Sequence, residues 1–227
     1  MCDRRCLRSC QRALKNLLHP HHGDFELDLV GLVMAGGRGT RMGYEVEKPL
    51  ITVGGKSMLA RVVEALKGSS KIGEVIIATS QYTPRTEEEA VRMGLRVIRT
   101  EGSGYVADAR QAIGMLVPRT VLVVSADLPL ISSRLIDDVI QHYFTCGKPA
   151  LKVITYRLGG SRGSSGGEEE LRPAGLNIID SNYIWMEHIE EADLLVESVE
   201  VALNINTPSD VERLRRLLSK QYIIGNS

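Results

Sequence analysis

Residues Leu29 to Gly43 read LVGLVMAGGRGTRMG. The run Leu29–Met34 is almost wholly apolar, the pattern of a strand covered on both faces in a parallel sheet. The residues after Met34 are not core material. Gly36, Gly37, Gly39 and Gly43 lack Cβ atoms, so the backbone there can take positive φ and approach a ligand closely. Amides converging at the end of a buried strand bind anions, and Arg38 or Arg41 adds forked donors that match phosphate oxygens. A loop of this kind sits where α/β folds bind ligands, at the carboxyl ends of their strands.

Spacing separates the kinds of glycine loop. A Walker loop needs a glycine, four residues, then Gly-Lys-Ser/Thr; GGKS at Gly54–Ser57 has Leu50 where the first glycine belongs. A dinucleotide fingerprint counted from Gly37 and Gly39 meets Met42 at its third glycine, and EKPL stands where a second strand and an acid are expected.

Beyond the loop, strand and helix patterns alternate. Strands are expected near Glu74–Thr79, Leu95–Arg99, Val121–Ser125, Ala150–Tyr156, Gly175–Asp180 and Glu197–Ile205. Helices are expected near Ser57–Lys67, Pro84–Met93, Tyr105–Leu116, Ser132–Phe144 and Pro208–Leu218, the last with Thr207 as its N-cap. This is βα alternation, and it implies a Rossmann-like three-layer α/β/α fold with a mostly parallel sheet. RLGGSRGSSGGEEE, Arg157–Glu170, has little to bury and reads as a mobile polar loop.

At 227 residues and 43% hydrophobic, the chain can bury a sizeable core, and no apolar run approaches the roughly 20 residues of a membrane span. With 28 basic and 28 acidic residues the net charge is zero, so positive charge for phosphate must be local, which argues against nonspecific nucleic-acid binding. Four cysteines make no disulfide framework, and a reducing cytoplasm fits them best. Residues 1–28 are basic and carry Leu7, Cys10, Leu14, Leu17 and Leu18 at helical spacing; they are expected to be a loosely ordered extension ahead of one domain spanning 29–227. Cys2, Cys6 and Cys10 with His19, His21 and His22 match no common metal pattern.

MAGGRGTRMGYEVEKPLITVGGKSML, Met34–Leu59, closely resembles the nucleotidyltransferases that move a nucleoside monophosphate from an NTP to a phosphorylated acceptor. The resemblance implies that Gly36, Gly37, Gly39, Thr40 and Arg41 hold the triphosphate and that Lys48, placed by Pro49, neutralises charge near the α-phosphate. It implies three further roles. In VLVVSADLPLI the strand ends at Asp127, a carboxylate suited to Mg²⁺, which takes one or two protein oxygens beside water and phosphate; capping of the turn before Pro129 is the competing role. In VALNINTPSDVERL, Asn204 and Asn206 would share one face of a strand, and an asparagine there completes the metal site, Asn204 by preference. In ATSQYTP and TEGSGYVADARQAI, Thr79, Gly102, Gly104 and Asp108 would read the base. Guanine offers N1–H and N2–H₂ donors that a carboxylate accepts and adenine cannot match, although an acid in a helix's first turn is stabilised by the macrodipole anyway.

Taken with RPAGLNIID, these segments look most like the archaeal-type adenosylcobinamide-phosphate guanylyltransferases, from Leu29 almost to the C-terminus. That resemblance implies transfer of GMP from GTP to adenosylcobinamide phosphate with Mg²⁺, with Pro173, Gly175 and Asn177 on the acceptor side. The molybdenum cofactor guanylyltransferases share the glycine loop and a similar ending and are the nearest alternative. A regulatory domain that senses nucleotide without turnover has no need of both Lys48 and Asp127. The partners are then small molecules, and the sequence is compatible with a homodimer without requiring one.

Overall fold

The computed structural model describes residues 29–40, 42–43, 46–156 and 170–224. In chain order the elements are β1 (Val30–Met34), β2 (Thr52–Val53), β3 (Lys56–Ser57), α1 (Met58–Lys67), β4 (Glu74–Ser80), α2 (Pro84–Arg92), β5 (Arg96–Thr100), α3 (Tyr105–Gly114), β6 (Thr120–Ser125), α4 (Ser133–Cys146), β7 (Ala150–Tyr156), β8 (Leu171–Asp180), β9 (Glu191–Leu195), α5 (Val199–Ala202) and α6 (Pro208–Ile224). The apolar run before the glycine loop forms β1, and all five residues of that strand are buried. Its side chains alternate between two cores. Val30, Leu32 and Met34 pack with Ala112 and Ile113 of α3. Val33 packs on the other face with Leu59, Val62, Val63 and Leu66 of α1 and with Ile136, Val139 and Ile140 of α4. Each such fully buried aliphatic side chain contributes about 1.5–3 kcal/mol. Gly31 belongs to the packing: a Cβ there would stand 3.0 Å from Leu66 Cδ2, so glycine lets α1 seat closely on the strand.

The main sheet runs in the order β5-β4-β1-β6-β8-β7-β9. β5, β4, β1 and β6 are mutually parallel, β8 runs antiparallel to both β6 and β7, and β9 lies parallel to β7. The result is the three-layer, mostly parallel α/β architecture that the alternating pattern implied. Consecutive βα units bring the carboxyl ends of β1, β4 and β6 to one edge, with register Met34 to Ala78 and Met34 to Ser125. Gly54 and Gly55, with φ of +59° and +79°, form the two-residue turn between β2 and β3. The GGKS that imitates a Walker loop is therefore a hairpin tip, where φ > 0 suits glycine.

Most expected elements stand within a residue or two of their reading. Three do not. The strand expected over Glu197–Ile205 is absent; the chain forms β9 earlier, at Glu191–Leu195, and then the short helix α5, whose N-cap Ser198 accepts a hydrogen bond from Glu200 N. β9 reads poorly as a strand because it lies at the sheet edge, with Glu191, Asp193 and Leu195 exposed. Its acids pair with Lys152 of β7, at 2.5 Å and 3.1 Å. β8 starts at Leu171 rather than near Gly175, and α6 runs on past Leu218. Among the described residues no helix is long and apolar enough to cross a membrane. The expected extension, residues 1–28, and most of the polar loop 157–170 lie outside the described residues.

Candidate active site

The carboxyl ends of β1 and β6, Gly36–Thr40, Met42, Lys48, Pro49 and the start of α3 enclose a cavity of about 470 Å³. Of the residues singled out in the sequence, Gly36–Thr40, Lys48, Gly102, Gly104, Asp108, Asp127 and Asn206 line it. Arg41 lies outside the described residues.

Lys48 occupies the centre of the constellation. Its Nζ donates to Asp127 Oδ2 at 2.6 Å and to Asn206 Oδ1 at 2.9 Å. The lysine and aspartate side chains are 16% and 15% exposed, so the pair is largely withdrawn from screening solvent. Each member is delivered by a different device. Asp127 follows β6, and Ala126 N bonds to Met34 O, which locks the end of β6 against β1. Asp127 does not cap its turn with its side chain: its carboxylate meets Lys48 and, at 3.4 Å, Asn204 Nδ2. Asn206 is placed by a capping box at the start of α6. Asp210 accepts from Asn206 N and Thr207 N at 2.9 Å and 2.8 Å, and Thr207 Oγ1 accepts in return from Asp210 N. The expected N-cap at Thr207 is thus present, and the same box orients a cavity residue.

Glycines admit this close approach. Gly39 has φ +61°, and a Cβ on it would stand 3.2 Å from Lys48 Cβ. At Gly36 a Cβ would press on Thr79 C at 3.1 Å and on Ser80. The third wall is the Gly102–Gly104 loop. Gly102, φ +76°, lies under the Tyr82 ring, where a Cβ would come within 2.6 Å of Cε2.

The structure places three sets of these residues differently from the sequence pattern. Thr79 does not reach the cavity; it is fully buried behind the loop, where its Oγ1 donates to Glu87 and its carbonyl accepts from Thr100. Asp108 reaches it, and one of its oxygens, Oδ1, accepts from Gly102 N at 2.9 Å and Ser103 N at 3.1 Å and thereby shapes the loop. Asn204 and Asn206 do not share a strand face, because no strand forms there. Asn204 presents Nδ2 to Asp127 and to Ala174 O, while its oxygen accepts from Arg172. Asn206 is the asparagine that lines the cavity.

Tyr82 and Tyr105 are walls that the sequence patterns did not single out. Arg38, expected as a phosphate donor, lies 4.2 Å from the centroid of the Tyr82 ring and donates to its hydroxyl. Tyr105 opens α3 and borders a second, wider groove along β6 and β8 that includes Asn177. Tyr105 is 45% exposed as a residue; desolvation around its hydroxyl, and after that the charge of Asp127, raise its pKa above the usual tyrosine value, so it faces the site as a neutral group. For Tyr105 the available signal was an aromatic residue directly after Gly104, in the loop that follows β5.

Residues 31–163 match the model of the MobA-like NTP transferase domain. The chain belongs to this NTP transferase family. It is 35% identical over 199 residues to the adenosylcobinamide-phosphate guanylyltransferase of Methanocaldococcus jannaschii, covering 83% of this chain and 97% of that protein. It is 31% identical over 204 residues to a "probable molybdenum cofactor guanylyltransferase" of Pelotomaculum thermopropionicum, covering 83% and 93%. Among solved structures, a CMP:2-keto-3-deoxy-manno-octonic acid synthetase complexed with CTP matches with a TM-score of 0.65 at 15% identity, covering 85% of this chain and 98% of that one. A 4-diphosphocytidyl-2C-methyl-D-erythritol synthase from Anaerococcus prevotii matches with a TM-score of 0.64, also at 15% identity, covering 86% and 97%. These structural matches bear out the fold. Membership of the NTP transferase family makes the chain a nucleotidyltransferase enzyme, as the motifs at Gly36–Pro49 implied.

Proposed function

We propose that the chain is a guanylyltransferase that moves GMP from GTP to adenosylcobinamide phosphate, releasing pyrophosphate. The observation that carries this reading is the full-length similarity to the Methanocaldococcus jannaschii enzyme, 35% over 97% of that protein. The molybdenum cofactor reading is favoured by the relative at 31% over 93% of its length. Both describe GMP transfer and differ in the acceptor.

Nothing in the chemistry requires a protein nucleophile. An oxygen of the acceptor's phosphate attacks the α-phosphorus of GTP, the bond to the β-bridging oxygen breaks in line, and pyrophosphate leaves with that electron pair. The acceptor phosphate is already ionised, so the protein's work is alignment and neutralisation of charge. The amides of Gly36–Thr40 are suited to the triphosphate oxygens, and Lys48, held at the mouth of β6, is suited to the charge that moves from the α-phosphate to the leaving group. The groove bordered by Tyr105 and Asn177, about 680 Å³, leaves room for a bulky acceptor beside the nucleotide.

The residues present fit one magnesium ion that brings most of its ligands with it. Asp127 Oδ2 and Asn206 Oδ1 already converge on a cation, the Lys48 ammonium. Among the described residues no group of three or more His, Cys, Asp or Glu side chains is placed to hold a metal. One carboxylate with an amide oxygen suits Mg²⁺, which keeps water and substrate phosphate in its shell. Asp127 would hold it, with Asn206 or Asn204 beside it. An ion held there would supply positive charge against the triphosphate.

The test is incubation with GTP or ATP, Mg²⁺ and either adenosylcobinamide phosphate or molybdopterin, following pyrophosphate and the guanylylated product. Fastest turnover is expected with GTP and adenosylcobinamide phosphate. Faster turnover with molybdopterin would transfer the assignment to the second reading, and faster turnover with ATP would refute the base assignment.

A further inference from the structure

One turn at the end of β4, Ser80–Thr86, fastens the glycine-loop segment at three points. Ser80 Oγ donates to Gly36 O at 2.6 Å, near the start of the segment. Arg38 stacks on Tyr82. At the far end, the Glu47 carboxylate accepts from Arg85 N at 2.9 Å, Thr86 N at 2.7 Å and Thr86 Oγ1 at 2.6 Å.

The third attachment is a helix cap supplied from a distance. α2 begins with Pro84, which has no N–H, and its own N-cap residue Thr83 makes no side-chain bond to the helix. Arg85 N and Thr86 N are therefore donors without a local acceptor, and Glu47 satisfies both from 38 and 39 positions away. The negative charge also lies where the helix dipole favours it. Thr86 is fully buried, so its hydroxyl has no solvent to turn to if the carboxylate leaves.

Glu47 is not a wall of the cavity, and what it controls is its neighbour. Lys48 comes directly after it and is itself followed by Pro49, which is buried and restricted in φ. With Glu47 fastened to α2 and Pro49 buried, the backbone of Lys48 is held on both sides. Its long side chain then reaches across the cavity to Asp127 and Asn206. We infer that Glu47 is a positioning residue for transfer, acting through Lys48, and that α2 is the anchor against which the lysine is aimed. This rests on the guanylyltransferase reading for the reaction that Lys48 serves.

The test is a double-variant cycle on the full chain: parent, Glu47→Gln, Lys48→Ala and the pair together. Glutamine keeps the size but turns an NH₂ toward backbone donors, so at least one of the three bonds is lost along with the charge. Glu47→Gln should lower kcat about tenfold and weaken GTP binding about fivefold, and in the Lys48→Ala background both effects should shrink to less than about twofold. Thr86→Val, which removes one bond and keeps the shape, should give the same pattern at about two- to threefold and covers the case in which Glu47→Gln fails to fold. Losses that multiply fully in the double variant would overturn the inference, and so would a lowered melting temperature with kcat and GTP affinity unchanged. If the parent binds GTP but turns over neither acceptor, the functional reading fails instead, and the GTP-binding cycle alone decides the role of Glu47.

Discussion

Replacing Asp127 by asparagine keeps the shape of the residue and removes its charge, and the surroundings allow two consequences to be separated. The first is stability. Removing one partner from a fully buried ion pair costs about 3–5 kcal/mol. Here the two side chains retain 16% and 15% exposure, and Lys48 keeps Asn206 Oδ1 at 2.9 Å. The cost should therefore be nearer about 1–2 kcal/mol, or about 3–6 °C in melting temperature for a chain of this size. The second consequence is catalytic. On the proposed mechanism the carboxylate both holds Lys48 and ligates magnesium at the triphosphate. Its loss should lower kcat by about 10² or more, equivalent to about 2.7 kcal/mol of transition-state stabilisation. GTP affinity should change less than about tenfold, because the loop amides and the base pocket are untouched. Pyrophosphate release at saturating GTP and acceptor, followed across a Mg²⁺ titration beside calorimetric GTP binding and thermal unfolding, separates the two. A kcat within about threefold of the parent at saturating Mg²⁺, together with a lowered melting temperature, would refute the catalytic assignment and leave Asp127 as a structural partner of Lys48.

Gly39→Ala places a side chain at φ +61° and a Cβ 3.2 Å from Lys48 Cβ; kcat should fall at least about tenfold, while thermal unfolding shifts by no more than the roughly 1–2 kcal/mol of a left-handed residue. Asn206→Ala removes the amide acceptor of Lys48 and should cost about tenfold in kcat, whereas Asn204→Ala, whose oxygen serves Arg172, should cost less than about threefold; steady-state kinetics on both variants checks this, and the reverse ranking would make Asn204 the metal ligand. Deleting residues 1–26 should leave kcat/KM within about threefold, measured beside the melting temperature; lost activity in a folded protein would give the extension a role in the reaction.

β1, β4 and β6 were legible because buried parallel strands are continuous apolar runs, and α1 and α4 because they carry clear caps, Ser57 accepting from Ala60 N and Ser132 from Leu135 N. The glycine loop was legible for a related reason: a requirement for absent side chains is written directly in the sequence. The edge was not. β9 is a short edge strand held by its ladder with β7 and by Ala192 and Leu194 packed on the core, with Lys152 pairing its two acids, and no local window contains these partners. Asp108 and Thr79 were the right residue types in the right segments. That one oxygen of Asp108 also holds Gly102 N and Ser103 N depends on the loop's fold rather than on its composition. Tyr82 escaped notice because its position over Gly102 joins two segments that are separate in sequence. Asn206 was weighed against Asn204 on strand geometry, whereas what sets Asn206 at the cavity is a capping box.

The ammonium of Lys48 is met by one partner 79 positions later in the chain and by another 158 positions later. Closing a loop twice as long adds only about 0.6 kcal/mol of entropy, so the arrangement costs little once the protein is folded. Its effect falls on order of assembly. All the parallel strands of the β5-β4-β1-β6 half are available once Ser125 has been made, yet the third member of the triad arrives only with the turn before α6. Competence is therefore separable from the sheet. A nascent or clipped chain lacking everything after Leu203 would keep every strand and still present Lys48 and Asp127 without their third member, so turnover reports whether the last helix has docked, whereas a spectroscopic measure of strand content does not.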